Sequence, residues 1–292
     1  MKLSLAAKFN IVFVTIFGVG FVAASAVTDY LLRQDAREET LQTARMLMEA
    51  ASAARSYTSN QILPLLETQL QTAFLPQSIP SYAATENLNQ LIKSHPDFSY
   101  KEATLNPTNP RDRAADWEAD VVNTLRAKPA LKELVGERVT ATGPVLYVAR
   151  PLQITNGACL SCHSVPNNAP KTMIDIYGPN NGFGWKLMEI IGAQVVSVPM
   201  DVPLQRAKII LRTYMLSMLG IFVFLFIALN VMVHLFVTRR IVQMSRLADQ
   251  VSLGKFSAEE LDVKGNDELS MLARSFSRMR TSLASAMKML EE

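Results

Sequence analysis

Two long apolar runs interrupt an otherwise mixed pattern of hydrophobic and polar positions. They span Phe9–Val27 and Thr213–Val237, and neither contains a charged residue. A helix of about 19 residues covers the roughly 30 Å hydrocarbon core of a bilayer, so both runs are predicted to be transmembrane helices in contact with lipid. Ala24-Ser25-Ala26 resembles a signal-peptide cleavage site. The glycine-free, helix-forming stretch that follows favours a retained helix instead.

The pattern between the two runs predicts a mixed α+β domain over residues 28–211. Asp29–Ala73 has apolar residues at helical spacing and is expected to form one long helix, interrupted at Pro64. Phe74–Pro110 contains five prolines and is predicted to be loop-rich. Asp112–Val135 is predicted to be a helix that ends at Gly136.

The remaining pattern predicts short strands. These are Arg138–Thr142 and Val145–Pro151 around a Thr142-Gly143-Pro144 turn, followed by Ile174–Tyr177 and Ala193–Val198. A long N-terminal helix, a loop-rich middle and late strands are typical of an α+β sensor fold of the PAS or Cache kind.

The segment after the second run, residues 238–290, has the pattern of a helical coiled coil. A heptad seam spaced by steps of three and four needs a partner helix to be buried, and this predicts a homodimer. The seam residues of the second helix are Leu269, Leu272, Phe276, Met279, Leu283, Ala286 and Leu290.

Composition limits the class of protein. The chain is 49% hydrophobic and 19% charged, too apolar for disorder, and the excess lies in the two runs. A formal net charge of +3 does not predict nucleic-acid binding. Two cysteines exclude a disulfide-dense scaffold.

Both cysteines lie in the chemical motif of the chain, Cys159-Leu160-Ser161-Cys162-His163. This is the pattern of c-type haem attachment, in which two thiols bind the haem vinyl groups and the adjacent histidine binds iron. One covalent haem c is therefore predicted, with His163 as the proximal ligand. A disulfide or redox pair is an alternative, and a zinc site is less favoured because there is no second cysteine pair.

The predicted haem attachment implies the cellular compartment of each segment of the chain. Covalent attachment occurs outside the cytoplasm, so residues 28–211 are expected in the periplasm. The N-terminal tail 1–8 and segment 238–290 are then cytoplasmic, on either side of the spans 9–27 and 213–237. The expected location is a bacterial inner membrane.

The sixth iron ligand is not defined by the motif. His95 and Met48 are the two candidates, and Met46, Met173 and Met188 are weaker ones; an open position is also compatible with the sequence. Haem propionates are expected to pair with cations, for which the candidates are Arg150, Lys171 and Lys186. Tyr57, Tyr177 and Trp185 are candidate pocket walls.

Five stretches carry a family resemblance: Ala54–Thr58, Tyr100–Pro110, Trp117-Glu118, Cys159–His163 and Tyr177–Lys186. Together they resemble the PAS-like c-type haem domains, a family of unknown function, over residues 44–200. The resemblance implies covalent haem in a pocket of a PAS-like sheet. It does not identify a signal.

The cytoplasmic segment resembles a HAMP domain. The matching features are Arg239-Arg240-Ile241 after the membrane, Gly254 before the connector, Asp267-Glu268-Leu269 at the second helix, and Phe276 and Met279 in core positions. Two residues depart from the usual pattern. Val242-Gln243-Met244 stand where a proline is usual, and Ser277 replaces an asparagine.

Two functions fit these features. The first is a membrane haem sensor that relays a redox or gas-ligand signal through the second span to the HAMP-like segment and a separate output protein. The second is an anchored c-type cytochrome that carries electrons or serves a larger redox complex, with a redox partner. No catalytic pattern and no output domain is recognisable before Glu292, so an enzyme activity is not expected.

Overall fold

The structure, a computed structural model, describes residues 4–70, 72–255 and 265–291. These residues divide into two compact units, one within residues 29–210 and one formed by the described residues before position 29 and after position 210. The main helices are α1 (Leu5–Tyr57), α2 (Pro80–Ile92), α3 (Asp116–Ala127), α4 (Lys171–Tyr177), α5 (Asp201–Val233), α6 (Arg239–Ser252) and α7 (Glu268–Glu291).

Unit 29–210 is built on one antiparallel sheet. Its strands are β1 (Ser99–Thr104), β2 (Leu134–Thr140), β3 (Gly143–Gln153) and β4 (Ile190–Pro199), in the order β1-β4-β3-β2. Strands β2 and β3 form a hairpin in which Thr140 pairs with Gly143, so the two predicted hairpin strands are present with shifted ends. The α+β fold class expected from the sequence is confirmed, and its sheet is antiparallel.

Helices cover both faces of the sheet, which explains why β4 is buried along nearly its whole length. Helices α1 and α2 pack on one face through Leu41, Ala44, Met48, Ala51, Ala84 and Leu88. Helix α3 packs on the other face through Val121, Val122 and Leu125. Burying a strand on both faces favours a near-continuous apolar sequence, and β4 has one.

Three predicted elements are wrong. Phe74–Pro110 contains helix α2 and strand β1 rather than mainly loop, because Pro80 stands in the first turn of α2, where a missing N–H costs nothing. The helix predicted over Asp112–Val135 ends at Ala127, just before Pro129. Its predicted end belongs to strand β2.

The third error is Ile174–Tyr177, which is part of helix α4 and not a strand. Its apolar run is too short for periodicity to separate helix from strand. Pro170 precedes the helix, and Gly178 follows it with a φ of 78°.

The predicted interruption of the long helix begins before Pro64. Residues Thr58–Ile62 form a π-helical turn, and Leu63–Leu65 then resume the α-helix. Proline lacks the N–H that would bond to residue 60, and its ring crowds that carbonyl. The wider π turn accommodates the missing hydrogen bond and the bulk of the proline ring, and the helix continues beyond it.

In the second unit, α1 and α5 each contain a stretch that is long and apolar enough to cross a membrane. Phe17 and Phe222 meet edge to face with ring centroids 4.5 Å apart, and Phe13 and Phe226 lie 5.6 Å apart. Many large apolar side chains of both stretches are exposed, as lipid contact requires.

Helices α6 and α7 pack together through Leu247, Val251 and Ala273. Gly254 ends α6 with a φ of 78°, the left-handed conformation that commonly terminates a helix. Asp267 caps α7 by accepting a hydrogen bond from the Ser270 N–H at 2.7 Å. Most of the predicted connector, residues 256–264, and the side chain of Leu290 lie outside the described residues.

Candidate functional site

The Cys-x-x-Cys-His motif lies on a long insertion between the adjacent strands β3 and β4. The base of this insertion is closed by two backbone hydrogen bonds, from Ile154 N to Glu189 O at 2.9 Å and from Met188 N to Ile154 O at 2.8 Å. Since both ends continue into a buried sheet, the insertion is anchored at its two ends.

Local sequence explains the shape of the motif. The Asn156 side chain accepts a hydrogen bond from Ala158 N at 2.9 Å and starts a 3₁₀ turn over Gly157–Cys159. A short helical turn, Leu160–His163, follows directly. Residues three apart share one side of a helical turn, so the two cysteines face similarly.

Both cysteines are free thiols in the structure, and no disulfide joins them. Cys159 is exposed and Cys162 is half-buried. The described residues contain no group of three or more His, Cys, Asp or Glu side chains that could hold a metal ion. The zinc and disulfide alternatives therefore gain no support from this geometry.

The His163 imidazole is held by several contacts. Its Nδ1 lies 2.7 Å from the carbonyl of Gly182, which can only accept, so Nδ1 carries the proton. Trp185 stacks on the imidazole at a centroid distance of 4.0 Å, and Thr108 Oγ1 lies 3.3 Å from Nδ1. Burial lowers the pKa of His163, although the Gly182 bond opposes this. With the proton on Nδ1, the lone pair of the neutral ring is on Nε2.

A short loop makes this arrangement specific. Gly182 has a φ of 81°, and a Cβ at this position would collide with Thr108. Asn106 accepts from Gly182 N at 3.1 Å and donates to Phe183 O at 3.1 Å. Asn106, Thr108 and Gly182 therefore orient His163.

The sequence did not assign these orienting roles. Asn106 and Thr108 lie 57 and 55 residues before His163 along the chain. Their inclusion in stretches that resemble a family was the only signal that pointed to them.

A buried polar network lies beside the motif. Arg55 of α1 donates to both oxygens of Glu102 at 2.6 and 2.5 Å. Tyr100 donates to Glu102 at 2.8 Å and accepts from Gln194 at 3.0 Å. Burial next to Glu102 raises the pKa of Tyr100, which keeps the phenol protonated as a donor.

The positive charge of Arg55 also acts on Cys159. Burial is the largest influence and raises the pKa of this thiol, while Arg55 opposes the increase. The network joins α1 to the adjacent strands β1 and β4.

The two candidate distal ligands lie in different surroundings. Met48 is fully buried in the core between α1 and the sheet. His95 lies at an exposed turn, with its ring 5.5 Å from that of Phe98. Neither shares a hydrogen bond or a ring contact with the motif within the described residues, so their role as distal ligands stays a prediction.

The weaker methionine candidates differ in burial. Met46 and Met188 are largely exposed, and Met173 is buried in α4. Met188 has a φ of 65°, which is unusual for a residue with a side chain.

The residues proposed to pair with haem propionates or to form walls of the haem pocket do not cluster around the motif. Arg150 already pairs with Glu49 at 2.7 Å and with Glu133 at 3.2 Å. Lys171 and Lys186 are exposed, as is Tyr57. Tyr177 meets Phe74 edge to face, so of the three proposed walls the structure brings only Trp185 onto the motif histidine.

The fold and site define a mixed helix–sheet domain that carries a Cys-x-x-Cys-His motif with an oriented histidine. The chain belongs to the Tll0287-like family, whose model matches residues 33–199. Residues 232–285 match the HAMP domain model. The paired resemblance expected from the sequence is thus confirmed.

A search of solved structures finds the cyanobacterial haem protein Tll0287. It is 15% identical to this chain with a TM-score of 0.44, and the match covers 55% of this chain and 95% of that one. A search of curated proteins finds no match. A Tll0287-like domain joined to a HAMP domain indicates a role in signal transduction.

Proposed function

We propose that this protein is a membrane-anchored c-type haem sensor that signals through its HAMP domain. The observation that carries the proposal is His163, whose Nδ1–H is committed to Gly182 beside two free thiols at the attachment spacing. These groups fit the donor set of one covalent haem c: Cys159 and Cys162 for the vinyl groups, and His163 Nε2 for iron. When bound, the haem would supply a redox-active, ligand-binding iron.

The chain provides a direct mechanical route away from the site. Trp185 stacks on His163 and donates its backbone N–H to the His163 carbonyl at 3.3 Å. Five residues later β4 begins, and β4 leads through Met200 into α5, which contains the second apolar run. A shift of the imidazole would therefore act on a buried strand whose end is the start of a membrane-crossing helix.

The Arg55–Glu102 ion pair ties the first apolar helix to the same sheet. Arg55 is two residues from the end of α1, the helix that contains the first apolar run, and Glu102 lies in β1, which pairs with β4. A shift of the sheet would therefore also act on α1.

This proposal includes a topology. Residues 28–211 would lie in the periplasm between the two spans, and both termini would lie in the cytoplasm of a bacterium. Covalent attachment outside the cytoplasm supports this orientation. Alkaline phosphatase fused after residue 120 should be active, and the same enzyme fused after residue 291 should be inactive; the reverse result would contradict the topology.

Attachment is tested by replacing the thiols. We expect Cys159→Ala with Cys162→Ala to abolish haem staining after denaturing electrophoresis, because no thioether can form. Ser161→Ala is the matched control within the motif and should retain the stain. Haem that stays attached in the double variant would refute the assignment.

An electron-carrier function is the second candidate, and the exposure of Cys159 favours it, because an exposed haem edge permits electron exchange. Spectra with and without reductant, CO and NO separate the two. A six-coordinate haem that is inert to gases, together with no redox-dependent change in HAMP cross-linking, would favour the carrier. A redox- or gas-dependent change in cross-linking would favour the sensor with its separate output partner.

A further inference from the structure

A polar cleft of about 510 Å³ opens on the same domain, and no residue of the Cys159–His163 motif lines it. Five lining residues carry the argument, and they come from α2, the segment before α3, α3 itself, the hairpin and β4: Thr85, Asp112, Trp117, Arg138 and Ser197. A volume of this size is in the usual range of small-molecule sites.

Arg138 is held on an aromatic platform inside this cleft. Its guanidinium lies 4.1 Å from the centroid of the Trp117 ring, which in turn contacts Tyr147 at 5.3 Å. Gly136 pairs with Tyr147 across the hairpin, and a Cβ there would collide with the tyrosine ring. A small residue at this position therefore makes the platform possible.

Stacking uses the flat face of a guanidinium and leaves the N–H donors at its edge available, the geometry that suits a carboxylate. Arg138 forms no ion pair with any carboxylate in the part of the chain that the structure describes.

The other charged side chains of the cleft either form ion pairs within the protein or are exposed to water. Lys101 bonds to Glu118 at 2.7 Å and to a backbone carbonyl, and Arg111 lies between Glu86 and Asp112. Asp97 is at the exposed rim, where water screens its charge. Arg138 thus remains the cation inside the cleft without a carboxylate.

Unused hydroxyls also line the cleft. The Thr85 hydroxyl is buried and has no hydrogen-bond partner, and the residue as a whole is 4% exposed. Ser197 is 8% exposed and makes no side-chain hydrogen bond within the described residues. A buried polar group without a partner costs free energy unless a bound molecule or water satisfies it.

We propose that this cleft binds a small organic molecule through a carboxylate that pairs with Arg138. The site would give the protein a second input besides the haem. The hairpin that carries Arg138 touches the start of α5: Met200 donates its N–H to Pro144 O at 2.9 Å, and Asp201 occupies the space that a Cβ on Gly143 would need. Occupancy would therefore act close to the point where the sheet enters the membrane-crossing helix.

Calorimetric titration of the purified full-length protein in detergent tests the proposal. The probes are acetate, lactate, succinate, glutamate and citrate, with succinamide as the uncharged control and inorganic phosphate as a different anion. We expect saturable binding of at least one carboxylate. Arg138→Gln should weaken it tenfold or more, because the cation that pairs with the carboxylate is gone.

Two further variants make the result specific. Arg138→Lys keeps the charge but not the planar fork, and we expect at least a threefold weakening. Lys132→Gln removes an exposed charge that does not line the cleft and should change the affinity less than twofold. The haem spectrum of each variant reports whether the domain is folded, independently of the titration.

Several outcomes would overturn the proposal. These are no saturable binding of any carboxylate, equal weakening by Arg138→Gln and Lys132→Gln, or binding of phosphate alone. None of them would affect the haem assignment, which is read from the stain and the spectrum.

Discussion

At the scale of single residues, hydrogen-bond partners decide what each titratable group can do. His163 is suited to bind iron because a carbonyl holds the proton on Nδ1, so that the free nitrogen faces away from Gly182. The Cys162 thiol, by contrast, has only a long contact of 3.8 Å with the Ser161 hydroxyl. The residue type alone would not distinguish this histidine from His95, which is exposed.

Asp112 should make stability depend on pH. Burial is the main influence that raises the pKa of this carboxyl to about 6, with Arg111 opposing it. The folded protein then keeps the proton up to about pH 6, whereas the unfolded chain releases it near pH 4. The free energy of unfolding should fall as pH rises through this window, by up to about 3 kcal/mol.

Asp112→Asn tests this prediction, because asparagine resembles the protonated acid. We expect the variant to be more stable than the wild type at pH 7.5 and about equal at pH 4, measured by denaturant unfolding in detergent. Asp120→Asn, which removes an exposed charge from α3, is the control and should not change the pH profile. A pH profile of Asp112→Asn that matches the wild type would contradict the assigned pKa.

At the scale of elements, the Arg55–Glu102 pair joins α1 to β1. Only 3% of the Glu102 side chain is exposed, so Glu102→Gln removes the charge partner of a largely buried guanidinium. We expect a loss of about 3 kcal/mol in the free energy of unfolding. Adding Arg55→Gln should recover part of this loss, since no unpaired buried charge then remains.

A second ion pair of α1 supplies the control for this cycle. Glu49 is 66% exposed where it meets Arg150, so Glu49→Gln should cost less than about 1 kcal/mol. Equal costs for Glu102→Gln and Glu49→Gln would show that burial does not govern the Arg55–Glu102 pair. The cycle also measures how strongly α1 is tied to the sheet.

At the scale of the whole molecule, the predicted heptad seam on α7 predicts the oligomeric state of the protein. Leu272, Met279 and Leu283 lie on the predicted seam of α7 and are 55%, 50% and 44% exposed in the single chain. A row of apolar side chains at heptad spacing is stabilised when a second copy covers it. The full-length protein should therefore be a dimer.

Light scattering of the purified protein in detergent measures this state. Leu283→Lys places a charge on the seam and should shift the dimer–monomer equilibrium at least tenfold towards monomer. Ser285→Lys adds the same charge away from the seam and should leave the dimer intact. A monomeric wild-type protein would disprove the seam prediction.

Much of the architecture follows from local pattern. The hydrophobic runs, the helical spacing of Leu41, Ala44, Met48 and Ala51, and the hairpin before the motif were all predictable, because periodicity and turn residues act over a few positions. Two of the three errors fall at prolines. Proline ends a helix or begins one depending on its position, and Pro80 and Pro129 show both cases.

The sequence by itself determined the chemical motif, the two apolar runs and the presence of a HAMP domain, because each is a pattern of residues that are close together along the chain. Only the tertiary structure decided which groups orient His163, that Arg55 meets Glu102, and that Arg138 lies on Trp117. The contacts around His163 join residues 19 to 77 positions apart, those of Arg55 with Glu102 span 47 positions, and Arg138 is 21 positions from Trp117. Such pairs depend on strand order and on which helix covers each face of the sheet, and a local pattern does not encode either.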